Sequence, residues 1–112
     1  MIISTSTGIC TSVLQRNERH FTCEEALVQI AGAGFQAVDL CFVAYGRPGM
    51  PMSDPNWRTW VQQQKELAEK LGLVTNQGHA HYYSAAESYR YTPEDWQAAE
   101  TLIRRDIEAA GI

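Results

Sequence analysis

Three times in 112 residues a helix-like stretch closes on a glycine followed by a large apolar residue: Ala33-Gly34-Phe35, Leu71-Gly72-Leu73 and Ala110-Gly111-Ile112. The glycines stand 38 and 39 residues apart, a spacing that suits stacked supersecondary units. A helix that ends on a left-handed glycine with an apolar residue behind it normally feeds the next element. Strand-like runs follow the first two glycines, at Ala37 to Phe42 and at Val74 to Gln77. The pattern predicts the opening of a longer βα series, cut where a fourth strand is due.

The elements follow from local chemistry. Residues 2 to 7 are rich in β-branched types and predict a short buried parallel strand. A loop follows from Gly8, and Thr22-Cys23-Glu24-Glu25 then forms a capping box that starts a helix. Its apolar stripe is Leu27, Ile30, Ala31 and Phe35. The second strand, 37 to 42, puts Val38, Leu40 and Phe42 on one face and Ala37, Asp39 and Cys41 on the other. After a Gly- and Pro-rich loop from Ala44 to Ser53, Asp54-Pro55 predicts a cap with proline at the first helical position. Trp57, Trp60, Val61, Gln64, Leu67, Ala68 and Leu71 recur at helical steps. A third strand runs from about Leu73 to Ala80. Thr92-Pro93-Glu94-Asp95 then caps a last helix whose face is Trp96, Ala99, Ile103, Ile107 and Ala110.

The order is βαβαβα, with short helix-to-strand joints and longer strand-to-helix loops. In parallel α/β folds the site sits at the carboxyl ends of the strands, where those long loops are. No G-x-G-x-x-G spacing follows any strand, which disfavours nucleotide binding.

Composition narrows the classes. With 45% hydrophobic and 20% charged residues the chain has ordinary globular character, and no apolar run approaches membrane-spanning length. A net charge of -4 disfavours nucleic-acid partners, and the clusters Arg16 to Arg19 and Arg104-Arg105 read as solvated surface. Cys10, Cys23 and Cys41 have no paired spacing, and the amino terminus has no secretory pattern. A cytoplasmic location is the expectation.

The strongest chemical signal is Gln77-Gly78-His79-Ala80-His81-Tyr82 at the end of the third strand. Two histidines at i and i+2 on extended chain share a face and can address one ligand or one metal. The bland alternative is surface histidines bonded to loop carbonyls. Asp39, inside an apolar strand, needs a partner or a polar cavity, and a structural pair with an arginine is the competing reading. Thr5, Thr7, Asn76 and Gln77 add polar groups to the strands. Trp57, Trp60 and Trp96 read as core. Tyr82, Tyr83, Tyr89 and Tyr91 either wall a pocket or pack down their loop, and the cysteines read as inert.

This pattern resembles the amino-terminal part of the xylose isomerase-like barrel superfamily, which includes sugar phosphate isomerases/epimerases and the family-two AP endonucleases. The resemblance rests on Ile2 to Thr7, on Glu24-Glu25-Ala26-Leu27 leading into Ala33-Gly34-Phe35-Gln36-Ala37-Val38-Asp39-Leu40, and on Ala68 to Leu73 before Gly78-His79-Ala80-His81-Tyr82. It implies an α/β fold: residues 1–112 as a single partial domain, a (βα)3 parallel segment of a TIM (β/α)8 barrel truncated before the fourth strand. It further implies a divalent metal (Mn, Mg or Zn) in a full-length parent and proton transfer beside a sugar carbonyl, with ligands and base beyond Ile112. The isolated chain is then expected to be inactive. Within the chain, the resemblance makes His79, His81 and Asp39 substrate-binding candidates for a small sugar. His79 matches a third-strand histidine that ligates zinc in the endonuclease branch and faces substrate in the sugar branch.

Two other readings stand beside it: a zinc-dependent AP endonuclease-like hydrolase, and a short non-catalytic α/β module that self-associates. Three parallel strands in order 1-2-3 leave two open edges and one uncovered face. Copies of the chain are therefore expected to associate edge to edge as a homo-oligomer.

Overall fold

The computed structural model describes residues 1–11, 21–83, 86 and 88–112. The chain is mixed α/β around a three-stranded parallel sheet. The strands are β1 (Ser4–Ser6), β2 (Ala37–Cys41) and β3 (Val74–His79), in the order β1-β2-β3. Helices α1 (Gly8–Thr11), α2 (Cys23–Gly32), α3 (Trp57–Lys70) and α4 (Pro93–Ala109) complete the described elements with short 3-10 turns. The Arg16 to Arg19 cluster lies outside the described residues.

The glycine closures explain the tight helix-to-strand joints. Gly34 and Gly72 take φ of 87° and 74°, where a side chain is strained. Around Gly34 the Phe35 N–H reaches the Ile30 carbonyl and the Gly34 N–H reaches Ala31; around Gly72 the bonds Leu73 to Ala68 and Gly72 to Glu69 repeat the motif. The third glycine differs from expectation. Gly111 is not left-handed, and the Ile112 N–H turns back only to Ala109.

The Thr22 capping box forms as expected: the Thr22 hydroxyl accepts from the Glu25 N–H and the Glu25 carboxylate from the Thr22 N–H. Thr92 and Asp95 do the same for α4. The α3 start is corrected. Its N-cap is Asn56, and the Asp54 carboxylate instead bonds the Asn56 N–H at 2.7 Å, a local turn that delays the helix to Trp57. Strand β1 is also shorter than expected, and the segment after it winds into α1.

One apolar core lies on the helix side of the sheet. Leu27 and Ile30 of α2, Val38, Leu40 and Phe42 of β2 and its end, and Trp57, Val61 and Ala68 of α3 are all buried there. The predicted loop of 44–53 contributes Tyr45 and Met52 to that core, through 3-10 turns at Phe42–Tyr45 and Pro51–Ser53. Helix α4 departs most from its predicted face. Asp106 and Ala109 are its buried residues, while Ile107 is 67% and Trp96 39% exposed. Its carboxyl end is held by polar contacts: Arg105 donates to the Met52 carbonyl and Lys65 to the Ile112 carbonyl. No described helix is long and apolar enough to cross a membrane.

Candidate functional site

The register fixes which side chains share the face turned away from the helices. Ser4 lies opposite Ala37 and Ser6 opposite Asp39; Asp39 lies opposite Gln77 and Cys41 opposite His79. Alternation along β2 sends Val38, Leu40 and Phe42 to the helices, so Ala37, Asp39 and Cys41 take the other face, as the sequence predicts. A register shift at Val38/Asp39 inserts Asn76 as an extra residue in β3. Its side chain accepts from the Ser4 hydroxyl at 3.3 Å, bridging the two outer strands. Ala37 beneath is small enough to allow that crossing. The result is a surface of Ser4, Ser6, Asn76, Gln77, Asp39 and His79, with Val74, opposite Ala37, exposed at its edge.

At the carboxyl end of this surface His79 Nδ1 lies 2.5 Å from Asp39 Oδ2. The carboxylate side chain is 11% exposed and the imidazole 56%, so the acid sits beneath and the ring stands outward. Asp39 therefore pairs with a histidine and not with the arginine of the competing reading. With Nδ1–H donated to the carboxylate, Nε2 is left on the outward side of the ring for a ligand. Asp39 Oδ1 is buried and has no hydrogen-bond partner among the described residues.

His81 goes elsewhere. Strand β3 ends at His79, so the i, i+2 alternation does not extend to His81. The His81 N–H donates to Asp106 Oδ2 at 2.5 Å, and its ring Nδ1 stands 2.5 Å from the same oxygen. The ring also closes on Gly46, where a Cβ would overlap it. His81 thus ties the end of β3 to α4 and to the loop after β2. Asp106, whose side chain is fully buried, is the residue that sequence reasoning missed. An acid at the position before Ile107 was the available signal, and the apolar stripe of Trp96, Ala99, Ile103, Ile107 and Ala110 passes it by.

The remaining candidates separate similarly. Tyr83 and Tyr91 pack edge-on against Trp96 at 4.8 and 5.2 Å between ring centroids, and Tyr82, Tyr83 and Tyr89 are all exposed. Trp57 is core and Trp60 half-buried against Tyr45, so Trp96 is the exception among the tryptophans. Thr7 is buried and its hydroxyl accepts from the Cys41 N–H at 2.9 Å. All three cysteines are free. Burial pushes the Cys23 thiol up to about 12, with the Tyr45 hydroxyl opposing that shift and Glu24 adding to it. Burial likewise raises Cys10 and Cys41, so none is an activated nucleophile. Among the described residues no three His, Cys, Asp or Glu side chains converge as metal ligands.

Comparisons of this chain with protein-family models, curated proteins and solved structures found no match.

Proposed function

We propose that this chain carries the first three βα units of a TIM barrel of the xylose isomerase-like kind, and that its polar sheet face binds a sugar or sugar phosphate. The observation that carries the reading is the His79–Asp39 pair at the carboxyl end of a parallel sheet. A carboxylate-oriented imidazole holds one ring nitrogen fixed and offers the other to a ligand hydroxyl. The Ser4–Asn76 bridge and Gln77 supply neutral donors and acceptors on the same face, which suits a polyol. The net charge of -4 weighs against the abasic-DNA alternative.

The role assigned to His79 is binding and orientation of a substrate oxygen, with Asp39 fixing the ring. Isomerisation or epimerisation beside a sugar carbonyl is the reaction class that the resemblance implies. A divalent metal belongs to the same resemblance. The described residues do not assemble a ligand set for it.

The test is an NMR titration of the imidazole C–H resonances with a panel of ketoses and ketose phosphates. A saturable shift at His79, with a smaller one at His81, supports the reading, and Asp39→Asn should weaken the apparent affinity roughly tenfold. No shift at His79 with any sugar at millimolar concentration would remove it from a substrate site.

A further inference from the structure

The His79–Asp39 pair depends on one extra residue. Strand β2 brings five residues to its ladder with β3 and β3 brings six, so Asn76 has no opposite number. With that bulge, Asp39 lies opposite Gln77 and Cys41 opposite His79. In a flush register Asp39 would lie opposite Asn76, and Phe42 opposite His79. Side chains alternate along a strand, so this one-residue slip would turn the imidazole to the helix side, away from the carboxylate.

Little within β3 itself specifies the bulged register. Register is set strongly where a strand buries one face, and weakly where the strand is polar or contains glycine. All six residues of β3, Val-Thr-Asn-Gln-Gly-His, are exposed. Gly78 leaves room for the Phe42 ring, since a Cβ there would stand 2.9 Å from it, and this disfavours bringing Gln77 to the same place. That preference is steric and ties no part of β3 down. The Ser4–Asn76 bond is exposed and, at 3.3 Å, long.

The strand is held at its ends. At its start the N–H of buried Leu73 bonds the Ala68 carbonyl at 2.9 Å, and the Val74 N–H bonds the Gln36 carbonyl at 3.0 Å. Two residues past His79, one carboxylate oxygen of Asp106 accepts the His81 N–H and meets the ring Nδ1, each at 2.5 Å. The Asp106 side chain is fully buried on α4, and Gly46 shuts in the His81 ring. A buried carboxylate that loses its donors is costly, so this anchor is not released lightly. In the flush register His81 would stand about 3.3 Å farther along the strand, out of reach of both contacts.

We propose that Asp106 is a positioning residue for His79: its hold on His81 fixes the end of β3 in the bulged register and so keeps the imidazole against Asp39. The consequence for sugar binding rests on the reading given above, whereas the register does not and is measured without ligand.

Two NMR observables report the register: the backbone contact of Asp39 with Gln77 rather than Asn76, and the ring nitrogen shifts of a His79 whose Nδ1–H is held by a carboxylate. Asp106→Leu keeps a similar shape and removes the acceptor. It should move the Asp39 contact to Asn76 and lose the His79 signature. His81→Ala loses the ring bond but keeps its backbone N–H on Asp106, and should retain both observables. Deleting Asn76 in the Asp106→Leu chain removes the excess residue and should return the His79 signature. An Asp106→Leu chain that keeps both observables overturns the proposal. So does a His81→Ala chain that loses them, or a deletion that does not bring the signature back. If Asp106→Leu does not melt cooperatively, amide exchange on the unsubstituted chain decides. The His81 amide should open together with the end of β3, exchanging within about tenfold of the most protected amide among Gln77, Gly78 and His79. Faster exchange at His81 than that overturns the proposal, because the strand end would then keep its register with the anchor open. A wild-type chain that binds no ketose ends the sugar reading and leaves these outcomes unaffected.

Discussion

Gly46→Ala tests the joint between β3 and α4 with one methyl group. Gly46 has φ -97° and ψ -1°, a right-handed conformation open to any residue, so the backbone raises no objection. Alone, such a change reduces the freedom of the unfolded chain and stabilises by about 0.4–1 kcal/mol. The obstacle is the His81 ring, which occupies the space where the new Cβ must go. If the ring leaves, its bond to Asp106 is lost, a hydrogen bond to a charged group that contributes about 1.5–3 kcal/mol. The Asp106 side chain is fully buried and its Oδ1 has no partner among the described residues, which places the loss at the upper end of that range. Gly46→Ala should therefore cost about 2 kcal/mol net. His81→Ala removes the same bond but leaves the backbone N–H on Asp106, and should cost a similar amount. In the double variant the methyl group meets no ring. It should recover its stabilising sign, giving a coupling of about 2–3 kcal/mol between the two sites. Urea unfolding followed by tryptophan fluorescence at constant m-value reads all four corners of the cycle. Additive effects within about 0.5 kcal/mol would refute the packing of His81 against Gly46.

Thr92→Ala removes one half of the α4 capping box and should cost about 1 kcal/mol, with fraying visible as lost amide protection over the first turn of α4. Gly72→Ala and Gly78→Ala separate two reasons for glycine. At Gly72 a Cβ meets nothing, so the cost is backbone strain of about 1–2 kcal/mol; at Gly78 the backbone is ordinary, but a Cβ stands 2.9 Å from the Phe42 ring, so Phe42→Leu should rescue Gly78→Ala and leave Gly72→Ala unchanged. Cys23 carries a pH prediction. Its thiol rises from 9.0 to about 12 on folding, so the folded state holds the proton more tightly. Stability from this group is full below pH 9 and falls as pH rises toward 12. Cys23→Ala should flatten that fall in a series of urea midpoints, and an unchanged slope would discount the burial of Cys23.

Much of the fold was legible because it depends on near neighbours. A hydroxyl three residues before an acid caps a helix wherever it occurs, and both boxes formed. Gly34 and Gly72 were readable because a left-handed residue followed by an apolar one is a local solution to a helix end. The α3 stripe was readable too, with Trp57, Val61, Gln64 and Ala68 all buried. The site was half legible. Asp39 announced itself as a carboxylate in an apolar strand, and His79 stood at a strand end. Their pairing depends on the one-residue shift between β2 and β3, which no pattern along a single strand encodes. His81 and Asp106 failed for the same reason, since they lie 25 residues apart and meet only through the packing of α4.

The misplaced face of α4 and the open edge of β3 have one cause. An amphipathic helix beside a parallel sheet buries its stripe against the strand it follows and against the next strand over. For α4 no described strand supplies the second of those supports. Its end is consequently positioned by ionic and polar contacts, Arg58 to Glu108 and Arg105 to Met52 and Asp54, while Ile107 stays in water. Exposed ion pairs contribute little, about 0–1 kcal/mol each, so they locate the helix more than they stabilise it. Burying Ile107 would contribute more than such a pair, about 1.5–3 kcal/mol. Ile107→Ala removes a side chain that stands in water and should therefore cost no more than about 0.5 kcal/mol in urea unfolding; a loss of about 1.5 kcal/mol or more would mean that Ile107 is covered in solution.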